Sequence, residues 1–310
     1  MRMKKSTNYL LKRNDEGFYM EEQDKFILPS KLYGNVDTVV DRITTTFNER
    51  TSNLGVLFSG IKGNSKTTTA KKVCINSKLP VIIITETFTG ADFKAFLAGI
   101  KNDTIIFIDE FEKVYKTEEL QQEFLSILDG VFEGKKLFLF TSNSAEINEF
   151  LRNRPSRIFY HFKYNNLEES IVNDIIDQEL QDKSFEADLR AILMILGNIS
   201  VDVLLNYIDE INRFKRSPRE LIKGLNIEVE QKHFSVHIYT GGEMHTTKCD
   251  FNPLTQEDFY LDYKKEKGGY GWFHGSFSDY TMYTRNNTFV FENRESKMVF
   301  IPFKPYKFEL

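Results

Sequence analysis

The stretch Gly60-Ile61-Lys62-Gly63-Asn64-Ser65-Lys66-Thr67 has the residue types and spacing to hold phosphate. Small residues let successive backbone N–H groups converge on phosphate oxygens, and a helix starting directly behind them adds positive potential at its N-terminus. Lys66 would reach the β- and γ-phosphates of a nucleotide and the Thr67 hydroxyl would hold Mg2+, with Thr68 opening the helical run to Asn76. This is the P-loop pattern G-x-x-x-x-G-K-[ST], preceded by the apolar run Leu54-Gly-Val-Leu-Phe58. Ser65 stands before the lysine in place of glycine, and its Cβ restricts the backbone where it passes closest to phosphate.

A second constellation lies downstream. Asp109-Glu110 ends the apolar run Thr104–Ile108, a Walker B arrangement. There Asp109 would orient Mg2+ and Glu110 would polarise an attacking water. Asn143 ends the next apolar run, where a carboxamide can hold that water against the γ-phosphate. Arg154 follows Asn143 by 11 residues and Arg157 by 14. A guanidinium fork stabilises charge on a transferring phosphoryl group, although a surface arginine is often merely ion-paired.

The elements that must position these groups follow from periodicity. Val39, Val40, Ile43 and Phe47 mark a helix from about Val36 to Arg50. Val81–Thr85, Thr104–Ile108, Lys136–Phe140 and Ile158–Phe162 read as strands, and helices of about ten residues alternate with them. The pattern predicts a three-layer α/β domain with a parallel five-stranded sheet over residues 29–165. Residues 1–28 are mixed and polar and read as an N-terminal arm. Residues 166–224 carry three amphipathic helical patterns and form a small helical subdomain. Residues 225–310 switch to period two, with a turn at Gly241-Gly242 and a hairpin around Asn286-Asn287, and predict an all-β domain.

Composition narrows the function classes. A length of 310 residues suggests two or three domains, and the net charge of −4 with no basic block argues against a dedicated nucleic-acid binder. Two cysteines far apart, Cys74 and Cys249, read as reduced thiols, with Cys74 a small core residue. No apolar run approaches the roughly 20 residues that span a bilayer, and the first residues lack a signal-peptide pattern, so a cytoplasmic location is expected.

The joint spacing of these motifs resembles the AAA branch of the AAA+ ATPases. Lys66-Thr67, Asp109-Glu110, Asn143 and the segment Arg154-Pro155-Ser156-Arg157 carry the resemblance, which covers about residues 29–224. The resemblance implies a Mg2+-dependent ATP hydrolase that assembles as a homo-oligomeric ring, commonly a hexamer. ATP would sit between the α/β subdomain and the helical lid. It implies that Asn143 is a sensor residue and that Arg154 and Arg157 act on the neighbour's γ-phosphate. Tyr33-Gly34, 26 residues before the P-loop, resembles the segment whose backbone passes the adenine. Phe88 in Thr87-Phe-Thr-Gly-Ala resembles the pore-loop aromatic of protein translocases, with Thr87 replacing the usual basic residue; a buried loop phenylalanine is the plainer reading. Wording such as Ile108-Asp-Glu-Phe-Glu-Lys113 resembles AAA ATPases of large tailed bacteriophages, which implies the cytoplasm of a bacterial host.

The β-domain carries His233, His237, His245 and Cys249, but no C-x-x-C pair or matching spacing points to zinc. Tyr263, Tyr270, Trp272, Phe273 and Phe277 could stack on bases. With 10 Lys+Arg against 12 Asp+Glu over residues 225–310, a face for protein contact is the better expectation. The sequence therefore predicts an ATPase that remodels a protein partner. A nucleotide-controlled scaffold with little hydrolysis, motivated by Ser65, and a clamp-loader-like nucleic-acid machine are the alternatives.

Overall fold

Residues Leu54–Gly60, Thr104–Ile108 and Lys136–Ser142 are buried throughout. Continuous burial of this kind is what strands need when helices cover both faces of a parallel sheet. The computed structural model describes residues 3–130, 132–143, 156–196, 199–227, 232–251, 257–265, 269–285 and 288–302. Two compact units divide the chain, Met1–Asn165 and Asn166–Leu310.

The first unit runs β1 (Asn8–Asn14), β2 (Gly17–Gln23), α1 (Val36–Glu49), β3 (Leu54–Gly60), α2 (Lys66–Ser77), β4 (Val81–Ile83), α3 (Gly90–Ala98), β5 (Thr104–Ile108), α4 (Phe111–Val114), α5 (Glu118–Leu128), β6 (Lys136–Ser142) and β7 (Tyr160–Tyr164). Its sheet has seven strands in the order β2-β1-β4-β5-β6-β3-β7, parallel except for the β1–β2 hairpin. The expected five-stranded sheet and the expected N-terminal arm are both corrected by this hairpin. Its first strand pairs in parallel with β4, Asn8 opposite Val81 and Leu10 opposite Ile83. The reason it reads as polar is its edge position. Within the pair only Asn8 and Leu11 are buried, so no continuous apolar run marks it. The two faces of the sheet carry separate cores. Ile82, Ile106, Ile108, Phe138 and Phe140 pack with Phe93 and Phe124 on one side. Val56, Phe58, Ile105, Phe107 and Leu139 pack with α1 and α2 residues on the other.

Strand β6 opens on a buried cation. Lys136 is 0% exposed, and its Nζ donates to the carbonyls of Ile100 (3.0 Å), Asn102 (3.1 Å) and Gly134 (2.6 Å). Burial pushes the ammonium down to about 8, with Asp103 acting in the opposite sense. The three donors of an ammonium match the three carbonyls, so the charge is matched by hydrogen bonds rather than by an ion pair.

The second unit begins with α6 (Glu169–Glu179), α7 (Glu186–Leu196), α8 (Val201–Phe214) and α9 (Pro218–Leu221). The Ser200 hydroxyl caps α8 by accepting from Val203 N–H, and Tyr207 Oη donates to the Pro218 carbonyl at 2.7 Å, fastening α9 to α8. Among the described residues seven strands follow: β8 (Lys232–Thr240), β9 (Glu243–Phe251), β10 (Asp258–Lys264), β11 (Tyr270–Ser276), β12 (Thr281–Arg285), β13 (Thr288–Glu292) and β14 (Ser296–Pro302). They form a five-stranded antiparallel sheet, β12-β13-β14-β8-β9, and a β10–β11 hairpin. The four candidate metal ligands are split by the pleat. His233 pairs across from Asp250 and His237 from Thr246 on one face, while Cys249 pairs with buried Phe234 and His245 with buried Ile238 on the other. Of the five aromatics weighed for stacking, Phe277 is buried, Tyr263 and Phe273 are half-buried, and Tyr270 and Trp272 are exposed. With Tyr260 they give the β10–β11 hairpin an aromatic outer face.

Candidate nucleotide site

The glycine loop leaves the C-terminal end of β3 under tight constraint. Gly60 has φ +127°, and a Cβ there would lie 2.0 Å from the Tyr164 carbonyl oxygen, so only glycine fits. Strand β7 fastens the loop. Ile61 N–H donates to the Tyr164 carbonyl (2.8 Å), Asn64 Nδ2 to the Asn165 carbonyl (2.5 Å), and Tyr164 Oη to Thr69 Oγ1 (3.1 Å). Gly63 has φ 84°, a conformation glycine adopts without strain. Lys66, almost fully buried, donates from Nζ to the carbonyls of Gly60 (2.9 Å) and Ile61 (2.7 Å). Lys62 is exposed on the loop and Thr68 half-buried in the first turn of α2.

Ser65 sits at φ 62°, ψ 16°, in the left-handed region. Its carbonyl accepts from Thr69 N–H (2.8 Å) and Thr69 Oγ1 (2.9 Å), which holds it there. A non-glycine residue in this conformation costs about 1–2 kcal/mol, part of which a glycine returns through unfolded-chain entropy. Ser65→Gly is therefore expected to stabilise the protein by about 0.5 kcal/mol, read as a small rise in Tm by calorimetry, with the P-loop hydrogen bonds intact.

Asp109 joins three elements. Its Oδ1 accepts from Thr67 Oγ1 (2.7 Å) and from Thr141 Oγ1 (2.6 Å). Thr141 in turn accepts from Glu110 N–H at 2.8 Å. The loop, the end of β5 and the end of β6 thus meet at one carboxylate. Glu110 has φ 50°, which turns its side chain away from the line of β5. Oε1 accepts from Asn143 Nδ2 (2.6 Å), and Oε2 accepts from Lys113 Nζ (2.7 Å). The Lys113 ammonium holds the Glu110 carboxyl below its usual range, Asn143 and Lys62 act in the same sense, and partial burial opposes them. Asn143 is fixed from its backbone as well, its N–H donating to Glu112 Oε1 at 3.0 Å.

This donor set fits a nucleotide with Mg2+. A hydroxyl and a carboxylate side by side are what a small hard cation takes from protein while keeping waters and phosphate oxygens. The lysine and the glycine loop at the start of α2 supply the positive potential.

Several predicted site residues are placed otherwise than expected. Phe88 is 5% exposed, packed edge-on to Phe18 (5.3 Å between ring centroids) and tilted against Phe93 (5.8 Å). Tyr115 Oη donates to its carbonyl at 3.0 Å. The ring expected to be presented at a pore loop lies in the core here, capped by the β1–β2 hairpin. Arg157 donates from Nε (2.8 Å) and Nη2 (2.5 Å) to Asp129 Oδ2 of its own chain. Its carbonyl lies where a Cβ on Gly55 would be 1.9 Å away, so its backbone is pressed onto β3. Within this chain the Arg157 guanidinium is held by Asp129. Arg154 lies outside the described residues. Tyr33 is half-buried and Gly34 has φ 84°, just ahead of α1. The start of α1 is tied to α2 by an Asp37–Lys72 ion pair at 2.5 Å. Thr141 and Lys113 were missed by motif reasoning. A threonine at a strand end two residues before Asn143 was the available signal for the first; helical spacing from Glu110 was the signal for the second.

Residues 56–164 match the family model described as ATPase family associated with various cellular activities (AAA). This match supports ATPase activity for the protein. Similar solved structures include the RuvB Holliday junction branch migration motor of Thermotoga maritima, 18% identical with a TM-score of 0.45 over 64% of this chain and 73% of that one. A point mutant of that protein is 15% identical, with a TM-score of 0.46 over 64% of this chain and 71% of the other. No curated protein matches the sequence. Among the described residues no helix is long and apolar enough to cross a membrane.

Proposed function

We propose that the chain is a Mg2+-dependent ATPase that works as a homo-oligomeric ring, a hexamer by resemblance, and remodels a protein partner in the cytoplasm. In this reading the backbone from Gly60 to Thr67, with Lys66 and Thr68, holds the phosphates, and the Tyr33-Gly34 segment passes the adenine. Thr67 and Asp109 hold Mg2+, which when bound neutralises phosphate charge. Glu110 takes the proton of the attacking water, Asn143 keeps the Glu110 carboxylate oriented, and Arg154 of a neighbouring copy completes the site. The observation that carries the reading is the single hydrogen-bonded cluster joining Thr67, Asp109, Thr141, Glu110 and Asn143. Gripping through Phe88 is not part of the proposal. The exposed aromatics of the β10–β11 hairpin and the acidic balance of residues 225–310 favour a protein rather than a nucleic-acid partner.

A second reading keeps nucleotide binding but little hydrolysis, so that ATP controls assembly. Two observations favour it: the left-handed Ser65 in the loop and the engagement of both Glu110 oxygens. Steady-state hydrolysis measured across protein concentrations separates the two. Turnover per protomer should rise with concentration, level off and vanish with EDTA. A rate per protomer that is flat from dilute to concentrated protein would rule out completion of the site by a neighbour.

A further inference from the structure

Glu110 is held at four points. Its N–H donates to Thr141 Oγ1 (2.8 Å), and its carbonyl accepts from Lys113 N–H (2.7 Å). Its carboxylate accepts from Asn143 Nδ2 at Oε1 (2.6 Å) and from Lys113 Nζ at Oε2 (2.7 Å). The first two anchors hold the main chain of Glu110, one through the Thr141 hydroxyl and one through the Lys113 N–H. The third comes from Asn143, whose own N–H is tied to Glu112. Only the fourth is a long, flexible side chain, and Lys113 is 60% exposed, so it can leave without disturbing the backbone.

We propose that Lys113 is a latch on Glu110, holding Oε2 against α4 and keeping basal ATP hydrolysis low. The inference rests on the reading of Glu110 as the group that takes the water's proton. A base needs an oxygen lone pair directed at the water and undiminished negative charge on it. The ammonium occupies Oε2 through a charge-assisted bond, and Asn143 occupies Oε1. Catalysis requires one of the two to give way, and the exposed ion pair is the weaker. Lys113 is thus a positioning residue, acting through Glu110 and not on the nucleotide.

The test uses the full chain. Lys113→Met is expected to raise kcat for ATP by about 2–5-fold, the range an exposed ion pair is worth, with KM unchanged. Lys113→Arg keeps the pair and reverses most of the gain. A Lys113→Met protein whose kcat is at or below wild type, or whose change is confined to KM, overturns the latch. A readout without nucleotide is acetylation of the free protein by acetic anhydride, followed by mass spectrometry with exposed Lys116 as internal reference. Glu110→Gln should raise labelling of Lys113 relative to Lys116, and an unchanged ratio overturns the ion pair. If Glu110→Gln itself hydrolyses ATP at the wild-type rate, the base assignment fails. A silent Glu110→Gln beside an unchanged Lys113→Met leaves the base intact and removes only the latch.

Discussion

Glu110→Gln should bind ATP with wild-type affinity and hydrolyse it about 100–10,000-fold more slowly, the contribution of a positioned general base. That corresponds to about 3–5 kcal/mol of activation free energy. Glutamine has the same shape. Its carbonyl oxygen can still accept from Asn143, and the backbone bonds to Thr141 and Lys113 are untouched. What is lost is basicity at the atom that takes the proton. The groups proposed to hold phosphate, Lys66 and the glycine loop, lie at the end of β3 and the start of α2 and do not change. The exposed pair to Lys113 is lost too, at little cost to stability. Binding is read by fluorescence titration with a labelled ATP analogue and turnover by phosphate release. A kcat within about threefold of wild type would leave too little for a general base and take Glu110 out of that role.

Lys136→Met is expected to destabilise the first unit by about 3–5 kcal/mol, from several buried carbonyls left without donors. Methionine can fill much of the volume but donates nothing to Ile100, Asn102 and Gly134. Relief can come only from water entering, and the site is sealed. A Cβ on Gly134 would lie 2.4 Å from the Asn102 carbonyl, so the chains touch there. At roughly 2–4 °C per kcal/mol for a unit of this size, Tm should fall by about 10 °C or more. Thermal unfolding by circular dichroism measures it. A fall of less than about 3 °C would mean that the three carbonyls find other partners.

The central sheet was legible because buried parallel strands are written as uninterrupted apolar runs; Thr104–Ile108 coincides with β5 in full. The clustering of the glycine loop with the acidic pair was legible because strand-end motifs at fixed spacing bring them to one edge of the sheet. What was hidden depends on partners distant in sequence. Arg157 looked available for a neighbour because nothing local announces Asp129, which waits at the C-terminal end of α5. Phe88 looked presented because the residue that covers it, Phe18, belongs to a hairpin too polar to be recognised. The latch on Glu110 was hidden for a different reason. Lysine one helical turn from an acid is common, and only the turn at Glu110 brings this one onto the carboxylate.

The β1–β2 hairpin also sets an order for synthesis. Its residues leave the ribosome before the strand it pairs with in the sheet, Val81–Ile83, and before the rings it covers, Phe88, Phe93 and Phe96, which come only after the glycine loop and α2. An isolated two-stranded hairpin is marginal in water. At about 5–20 residues per second, the wait for α3 lasts on the order of 4–15 s. During that interval Leu11, Phe18 and Met20 form a small apolar surface without its partner, so this hairpin, made before the strand and helix it packs on, waits for them to be locked into the sheet.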